Sequence, residues 1–519
     1  MGNAFPVRPQ AGVCLHITSL PGDFGLGELG QAAVDFIDQL VAMDLRVWQI
    51  LPTGPTAYGN SPYQPLSAFA GNELLLDTQQ LITAGLVLES EAQALRTLPH
   101  NHVDFGRLVP AKTTILAHAA ERFLAQASTT SKAAFEAFKA HHNHTWLHDY
   151  AVYRVIKSRH GESAWVNWRP EYRHRHSAAV LALEEQSAMA LEHIKILQFL
   201  FHQQWQQLHS YASSRGVLLF GDIPIYLALD SSDVWANPAL VNLDANNNPL
   251  ALAGVPPDDF SADGQLWGNP IYAWDYHART HYAWWISRVQ QALQAVDLVR
   301  IDHFRGLESY WSIPFGSATA ETGQWLPGPG DDLLDALYGA FTNPSLVAED
   351  LGFMTEEVEA MRQKHQIPGM VVLQEKLADP AFSLNTIEPN SICYPGTHDT
   401  DTCRGWFDGG SVGEIRTPAQ IEQSRQTLLR LTGGNAHSVA DDMITLAFSS
   451  AANLAIVLMQ DFIGLDNSAR FNLPGTSTNN WRWRLLPEQL DPTTIAKVKR
   501  LVANGHRQRR GQSQVPESI

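Results

Sequence analysis

Eight short apolar segments constrain the fold of this chain more than any other feature. Each segment is continuously hydrophobic rather than alternating, which is typical of parallel strands that are covered on both faces. Amphipathic helical stretches follow several of them, for example at 30–43 and 355–364. A strand–helix succession of this kind predicts right-handed crossover units. Eight such units favour an α/β fold, the (β/α)8 TIM barrel, with segments at 13–17, 47–51, 217–225, 296–301, 346–348, 370–374, 391–394 and 455–459.

The chain is much longer than a barrel requires. A (β/α)8 barrel needs roughly 250 residues, whereas this chain has 519. We predict a single catalytic barrel over 1–519 with large helical and loop insertions. Helical patterns between the second and third segments predict a mostly helical insertion subdomain at 65–215. A second insertion, at 226–295, carries a Gly-, Pro- and Asp-rich loop at 253–270 that is long enough to act as a lid.

Composition narrows the classes of partner. The net charge of −17 argues against nucleic acid, because phosphate binding depends on clustered Lys and Arg. The three cysteines, Cys14, Cys393 and Cys403, have neither metal-like spacing nor the number needed for a disulfide framework. We find no secretory signal, and no apolar run approaches the roughly 18 residues that span a bilayer. We therefore expect a cytoplasmic protein without a membrane partner.

Three acidic segments follow the fourth, fifth and seventh apolar segments. They are RIDHFRG at 300–306, AEDLG at 348–352 and GTHDT at 396–400. Burying an unpaired carboxylate costs several kcal/mol, so such groups are usually paired, hydrogen-bonded or catalytic. In a barrel, the C-terminal strand ends carry the chemistry. Although a lone Arg-x-Asp is often a structural ion pair, three such segments together predict that Asp302, Glu349 and Asp399 are the acids of a glycosidic site.

The spacing suggests different roles for these acids. Arg300 and Asp302 lie on the same side of their strand, and the guanidinium should lower the pKa of the carboxyl, as a nucleophile requires. Glu349 follows apolar residues, and partial burial would keep it protonated as a general acid. Retaining glycosidases hold their two carboxyls about 5–5.5 Å apart, which adjacent strands about 4.8 Å apart allow. Asp399, beside His398, would bind sugar hydroxyls or raise the pKa of Glu349.

Four further segments at strand ends or in loops offer groups suited to sugar. A hydroxyl or carboxylate can bond to sugar hydroxyls, and an aromatic ring can stack on the apolar face of a sugar. For each of them, a turn or packing role is an equal alternative. The residues are Asp222 in GDIPIY, Ser61 and Tyr63 in YGNSPYQ, Trp267 in the 253–270 loop and Asn472 in FNLPGT.

A glycine-rich motif and two histidine motifs are better explained without nucleotide or metal binding. GLGELG at 25–30 matches the dinucleotide pattern GxGxxG, but SLPGDF separates it from the preceding strand and the pattern alone is a weak signal. HHNH at 141–144 and RHRH at 173–176 have no accompanying Cys or carboxylate set, so we interpret them as surface histidines. The sequence predicts no metal site.

The ordered set of motifs resembles one known family along almost the whole chain. This family is glycoside hydrolase family 77, the 4-α-glucanotransferases, also called amylomaltases or disproportionating enzymes. The similarity departs at Thr400, after GTHD, and is weaker over 81–144. The motifs include SLPGDFGLGELG, WLHDYAVY, GDIPIYLALDSSDVWANP, GVPPDDFSADGQLWGNP, VRIDHFRG, GQWLPGPG, VAEDLG, GTHDTDT and NLPGTSTNNWRWRL.

The resemblance implies a (β/α)8 barrel without the C-terminal β-domain of related amylases. It implies Asp302 as nucleophile, Glu349 as general acid/base and Asp399 as transition-state stabiliser. It implies no metal and no organic cofactor. The residues that it implies for substrate binding are Arg300, His303 and His398 around the scissile sugar, Asp222, Trp267, Tyr63, Ser61 and Asp258 along the subsites, and Asn472 in a similar loop.

These observations together predict a 4-α-glucanotransferase. It would transfer α-1,4-glucan segments between maltooligosaccharides, or starch or glycogen chains, by retaining double displacement through a covalent glycosyl-enzyme. Two alternatives stay open at this point. One is an α-glucan hydrolase that uses the same acids, and the other is a glycan-binding protein without catalysis.

Overall fold

The computed structural model describes residues 4–257, 263–410, 414–505 and 507, and its centre is an eight-stranded parallel sheet. Neighbouring strands run in the order β10-β11-β12-β1-β2-β3-β6-β9. Ala348 N donates to Pro368 O at 2.9 Å, which brings the two outer strands together. The sheet is therefore nearly closed, as the (β/α)8 prediction requires. The strands are β1 Gln10–Cys14, β2 Val47–Gln49, β3 Leu218–Ile223, β6 Leu298–Ile301, β9 Leu346–Ala348, β10 Gly369–Val372, β11 Ser391–Tyr394 and β12 Leu454–Leu458.

The barrel prediction is confirmed, with one displaced strand. Seven of the eight predicted segments coincide with a strand to within a few residues, and the burial of most of their residues explains why they are largely apolar. The first segment was placed at 13–17, but β1 is Gln10–Cys14. Gln10 pairs with Leu454 in register, so backbone bonding to β12 starts the strand at a polar residue. Ile17–Ser19 forms a 3-10 turn instead.

Helices surround the barrel and fill the long connection between β2 and β3. They are α1 Gln31–Ala42, α2 Thr78–Thr83, α3 Glu89–Ala92, α4 Phe105–Gln126, α5 Thr129–His142, α6 His148–Arg159, α7 Ala178–Gln186, α8 Ala188–Ser214, α9 Ser232–Ala236, α10 Trp274–Arg279, α11 Ala283–Ala295, α12 Gly330–Ala340, α13 Glu356–Lys364, α14 Leu373–Lys376, α15 Cys403–Asp408, α16 Pro418–Thr432, α17 Val439–Ser449, α18 Met459–Phe462 and α19 Pro492–Asn504. No helix in the described part of the chain is long and apolar enough to cross a membrane.

The range 65–215 contains α2 to α8, and the division of the chain into subdomains stays a prediction. Ser187 separates α7 from α8 in this range. The backbone of Ser187 leaves the α conformation, and its hydroxyl accepts a 2.7 Å hydrogen bond from Arg159. α8 belongs to the layer around the barrel, since Trp205 donates to Ala295 O at the end of α11 at 2.8 Å.

A second, antiparallel sheet lies outside the barrel and was not predicted. Its strand order is β5-β4-β7-β8. The sequence predicts a loop over 253–270, but both ends of that range are strands, because each finds a pairing partner. Residues 258–262, within that range, lie outside the described residues, and the lid role of the loop stays a prediction. The strands are β4 Ala251–Val255, β5 Gln265–Pro270, β7 Ser309–Pro314 and β8 Gln324–Pro327. No strand follows β12 in the chain as described up to residue 507.

Candidate active site

Asp302 and Glu349 lie at equivalent positions on neighbouring strands. Ile301 on β6 pairs with Ala348 on β9, and each acid directly follows the last residue of its strand. The Asp302 amide donates to Ile223 O at 3.0 Å, and the Glu349 amide donates to Ile301 O at 3.1 Å. Because neighbouring strands are about 4.8 Å apart, this register places both acids at the same edge of the barrel.

Arg300 connects two of the carboxylates. Its Nη1 lies 2.6 Å from Asp222 Oδ2 and 2.9 Å from Asp302 Oδ1. Asp222 and Arg300 are register partners on β3 and β6, so the shorter contact follows from strand pairing. The Arg300 side chain is only 4% exposed, and charge-assisted bonds of this length are the strong ones. Arg300 therefore fixes the position of Asp302 relative to the barrel wall.

The pKa of Asp302 differs in direction from the expectation. Burial raises the pKa of this carboxyl to about 6; Arg300 acts in the opposite direction, and Asp222 and Asp399 add to the rise. The Arg-x-Asp pattern predicts a lowered pKa, because it counts the guanidinium alone. The surrounding carboxylates and the desolvation are tertiary effects, and together they exceed that attraction.

Glu349 lies in a more strongly perturbing environment. Its carboxylate accepts hydrogen bonds from the backbone amide of His303 at 2.6 Å and from that of Leu351 at 3.2 Å. Burial nevertheless raises its pKa to about 8, with Arg300 opposing the rise and Asp302 contributing to it. Asp350 also raises the pKa of Glu349, which is the role that the sequence analysis offered for Asp399. At neutral pH Glu349 therefore keeps its proton, as the sequence predicts.

Asp399 is the acid that stays ionised. Its carboxylate lies 3.2 Å from His398 Nε2 and accepts a 2.6 Å hydrogen bond from the side-chain amide of Asn472. Burial works to raise the pKa of Asp399, but His398, the bond from Asn472 and Arg300 outweigh it and hold the pKa well below its usual range. The side chain is 42% exposed, so one side of it opens away from the protein.

Tyr63 joins the two ends of this cluster. Its hydroxyl donates to Asp222 Oδ2 at 2.7 Å and lies 2.8 Å from His398 Nε2. The rings of Tyr63 and His398 are stacked at 5.3 Å between centroids. Ser61 accepts a 3.2 Å bond from the amide of Tyr63, so it shapes the turn that presents the tyrosine.

Trp267 and His303 form the wall beside Glu349. Their ring centroids are 4.9 Å apart in a T-shaped contact. Burial lowers the pKa of His303 to about 4, with Arg305 adding to the effect, so the imidazole is neutral at physiological pH. Every predicted site residue within the described chain thus contacts at least one other predicted site residue, as Trp267 contacts His303 and Ser61 contacts Tyr63. Asp258 lies outside the described residues.

Two residues that contact the candidate site, Arg470 and Trp481, were not predicted from the sequence. Arg470 donates to the carbonyls of Asp399 and Asn472, each at 2.7 Å, and pairs with Asp401. The ring centroid of Trp481 lies 6.0 Å from that of Tyr63 and 6.2 Å from that of His398. Its φ of 61° is unusual for a bulky residue, and such strain is concentrated at functional sites. The sequence signal for Trp481 was the motif NLPGTSTNNWRWRL, which marks the loop but not its contacts, and Arg470 precedes that motif.

The glycines of GLGELG and the first histidine motif have structural explanations. In GLGELG, a side chain at Gly27 would meet Ile17 O at 1.9 Å, and one at Gly30 would meet Asp77 at 1.4 Å, so these glycines allow close packing. His141 and His142 lie at the C-terminal end of α5, and the prediction of surface histidines is wrong for His142, which is buried. In the part of the chain that is described, no group of three or more His, Cys, Asp or Glu could hold a metal ion.

A (β/α)8 barrel with two acids at adjacent strand ends, one of them protonated at neutral pH, is typical of enzymes that act on glycosidic bonds. A sequence model of the 4-alpha-glucanotransferases, glycoside hydrolase family 77, matches residues 15–489. The 4-alpha-glucanotransferase of Streptococcus pneumoniae serotype 4 is 41% identical over 491 residues, 93% of this chain and 95% of that protein. That of Thermus thermophilus is 39% identical, with 95% and 98% covered.

The solved structures agree with the sequence relatives. The amylomaltase from Streptococcus agalactiae, in complex with acarbose, has a TM-score of 0.90 and 33% identity, covering 96% of this chain and 100% of that one. The chain therefore belongs to glycoside hydrolase family 77, and 4-alpha-glucanotransferase is its enzyme class. This confirms the resemblance drawn from the motifs and makes the non-catalytic alternative untenable.

Proposed function

We propose that this enzyme transfers α-1,4-glucan segments between maltooligosaccharides by double displacement with retention. The observation that carries the proposal is the register of β6 and β9, which puts Asp302 and Glu349 side by side. Their pKa values, about 6 and about 8, leave Asp302 largely ionised and Glu349 protonated near pH 7. One acid is thus ready to attack while the other is ready to give a proton.

In the first step, an Asp302 oxygen attacks the anomeric carbon of the donor glucan. The bond from that carbon to the glycosidic oxygen breaks, and Glu349 transfers its proton to the departing oxygen. In the second step, Glu349 takes the proton of the 4-hydroxyl of a second glucan, whose oxygen attacks the same carbon and releases Asp302. Two inversions give net retention of the α configuration.

The surrounding residues have supporting roles in this mechanism. Ionised Asp399 stabilises the positive charge that develops on the sugar ring. Arg300 holds Asp302 in place, and Tyr63 with His398 forms a stacked wall that can contact sugar hydroxyls. The acarbose complex of the Streptococcus agalactiae relative supports an oligosaccharide as ligand of this site. We assign Asp222, Trp267, Ser61, Asp258, His303 and Asn472 to substrate binding or to the orientation of the site.

The first test is the product balance with maltotriose. We expect glucose and longer maltooligosaccharides to appear while total reducing ends stay constant, because each broken glycosidic bond is replaced by another. Newly formed linkages should show the α anomeric signal by proton NMR. A rise in reducing ends that matches the glucose released would identify a hydrolase instead.

The covalent intermediate requires a direct test. Asp302→Asn should lower turnover by at least about a thousandfold, as removal of a nucleophile does, without changing the melting temperature. Glu349→Gln, given an α-maltotriosyl fluoride, should accumulate one added maltotriosyl mass on the Asp302 peptide, because fluoride leaves without a proton. The matched control is the double variant, which should carry no added mass. An adduct on another residue, or turnover by Asp302→Asn, would reject the assignment.

A further inference from the structure

Phe353 is an exposed phenylalanine at the mouth of the barrel. Phe353 is 71% exposed although it lies only four residues after Glu349. The turn that presents it passes through Gly352 at φ 77°, a backbone conformation that suits glycine. The same turn is tied to the catalytic acid, because the amide of Leu351 donates to Glu349 Oε1. The position of Phe353 is thus linked to that of Glu349.

Arg305 holds Phe353 in a defined orientation. Its guanidinium lies 3.8 Å from the centroid of the Trp325 ring and 5.3 Å from that of the Phe353 ring. It also donates a hydrogen bond to the carbonyl of Phe353 and one of 3.3 Å to Ser309 Oγ. Arg305 itself is only 5% exposed. One face of the Phe353 ring is therefore anchored, while most of its surface remains open.

The location of Phe353 relative to the acids indicates which sugar it can meet. The groups that surround Asp302 on its other side, namely Asp222, Tyr63, His398 and the Asp399 loop, come from strands β3 and β11 and the loop after β2. Phe353 follows β9, and the Arg305 guanidinium that contacts its ring also contacts Trp325 of β8. It therefore lies on the Glu349 side of the pocket, where the leaving glucan departs and the acceptor glucan enters.

We propose that Phe353 is an acceptor subsite, which stacks on a glucose ring beyond the one whose 4-hydroxyl reacts. This rests on the proposed function, because it needs Glu349 as the acid next to the leaving group. The apolar face of glucose packs well on an aromatic ring, and a ring that is already held costs less conformational entropy when it binds. The subsite would give the enzyme a preference for acceptors of two or more glucose units.

The experiment separates donor from acceptor. The donor is a maltotriosyl fluoride deoxygenated at its terminal 4-position, so it can be transferred but cannot accept. The acceptors are glucose and maltotetraose, and the proteins are the wild type, Phe353→Ala, Phe353→Tyr and the control Phe315→Ala. Phe315 is 52% exposed and follows the far end of β7, about 20 Å along that strand from Ser309.

We expect Phe353→Ala to raise KM for maltotetraose about fivefold or more, the range of an aromatic stacking contact. Its KM for glucose and its kcat should remain those of the wild type. Phe353→Tyr should keep the low KM for maltotetraose, and Phe315→Ala should change neither acceptor. Equal KM values for maltotetraose in Phe353→Ala and the wild type, or an equal rise for both acceptors, would overturn the subsite.

The wild-type arm tests the proposed function separately. If acceptor fails to speed fluoride release, or if the transferred linkage is β, the double-displacement proposal is wrong whatever Phe353 does. If the wild type transfers with retention but Phe353→Ala behaves identically, only the subsite is wrong.

Discussion

Arg300 keeps two carboxylates, Asp222 and Asp302, close together at its guanidinium in a largely buried position. Burial and these neighbouring charges leave Asp302 with a pKa of about 6 and Glu349 with one of about 8. Because the two acids interact, the values describe the pair rather than isolated groups. In the proposed mechanism the active form has Asp302 ionised and Glu349 protonated, and this form dominates between these two values.

A bell-shaped pH profile follows for kcat/KM. Activity should rise with pH as Asp302 ionises near 6 and fall as Glu349 loses its proton near 8. With an α-maltotriosyl fluoride and wild-type enzyme, the first step needs no acid, so single-turnover fluoride release should lose the fall above pH 8. Glu349→Gln should show the same rising limb. Persistence of the upper fall in that variant would assign it to a group other than Glu349.

At the scale of single elements, the loop between Arg470 and Trp481 shapes the Asp399 side of the site. It is closed by a 2.6 Å bond from the Trp481 amide to Phe471 O. From this loop Asn472 reaches the carboxylate of Asp399, and Arg470 reaches its carbonyl. Trp481 stays in a conformation that costs on the order of 1–3 kcal/mol for a bulky residue. The contacts that offset this cost are those with Tyr63 and His398.

Replacing Arg470 tests this loop. Arg470→Lys keeps the charge but not the fork that serves two carbonyls and Asp401 at once. We expect kcat to fall by about tenfold or more, as misplacement of a catalytic group does, with little change in KM or melting temperature. The control is Arg482→Lys. Arg482 donates a 3.0 Å hydrogen bond to Val103 O and has no part in the contacts of Arg470 with Asp399. Equal losses in both variants would show a general effect on the loop.

These contacts also explain what the sequence can and cannot predict. The acids at the ends of β6 and β9 were predictable, because parallel strands converge at one edge of a barrel and apolar runs mark the strands. The contact of Arg470 with Asp399 spans 71 positions and has no periodicity that would reveal it. The raised pKa of Asp302 was missed for the same reason, since it comes from burial and from Asp222, which is distant in the sequence although its strand neighbours β6. The small sheet was missed because its short strands lie among Gly and Pro.

At the scale of the whole molecule, a buried ionic cluster connects the helices after β2 with the barrel. Lys112 of α4 is fully buried and pairs with Glu28, which precedes α1. Its ammonium also donates to Thr78 Oγ1 at 2.7 Å and to Leu76 O at 2.8 Å. Glu28 in turn accepts from the hydroxyl of Thr78 at 2.6 Å. Burial raises the pKa of Glu28, and Lys112 is the main group that opposes this rise.

Removing one partner of this cluster should cost more stability than removing both. Lys112→Met leaves Glu28 buried without its cation, which we expect to lower the free energy of unfolding by about 3–5 kcal/mol. The double variant Glu28→Gln with Lys112→Met should recover part of that loss, because no unpaired charge remains. Lys364→Met, which breaks an exposed pair with Asp331, serves as control and should lower the stability much less, because exposed ion pairs are screened by solvent. Urea unfolding followed by fluorescence measures the free energy of unfolding of all three variants. A double variant that is less stable than Lys112→Met would contradict this account of the cluster.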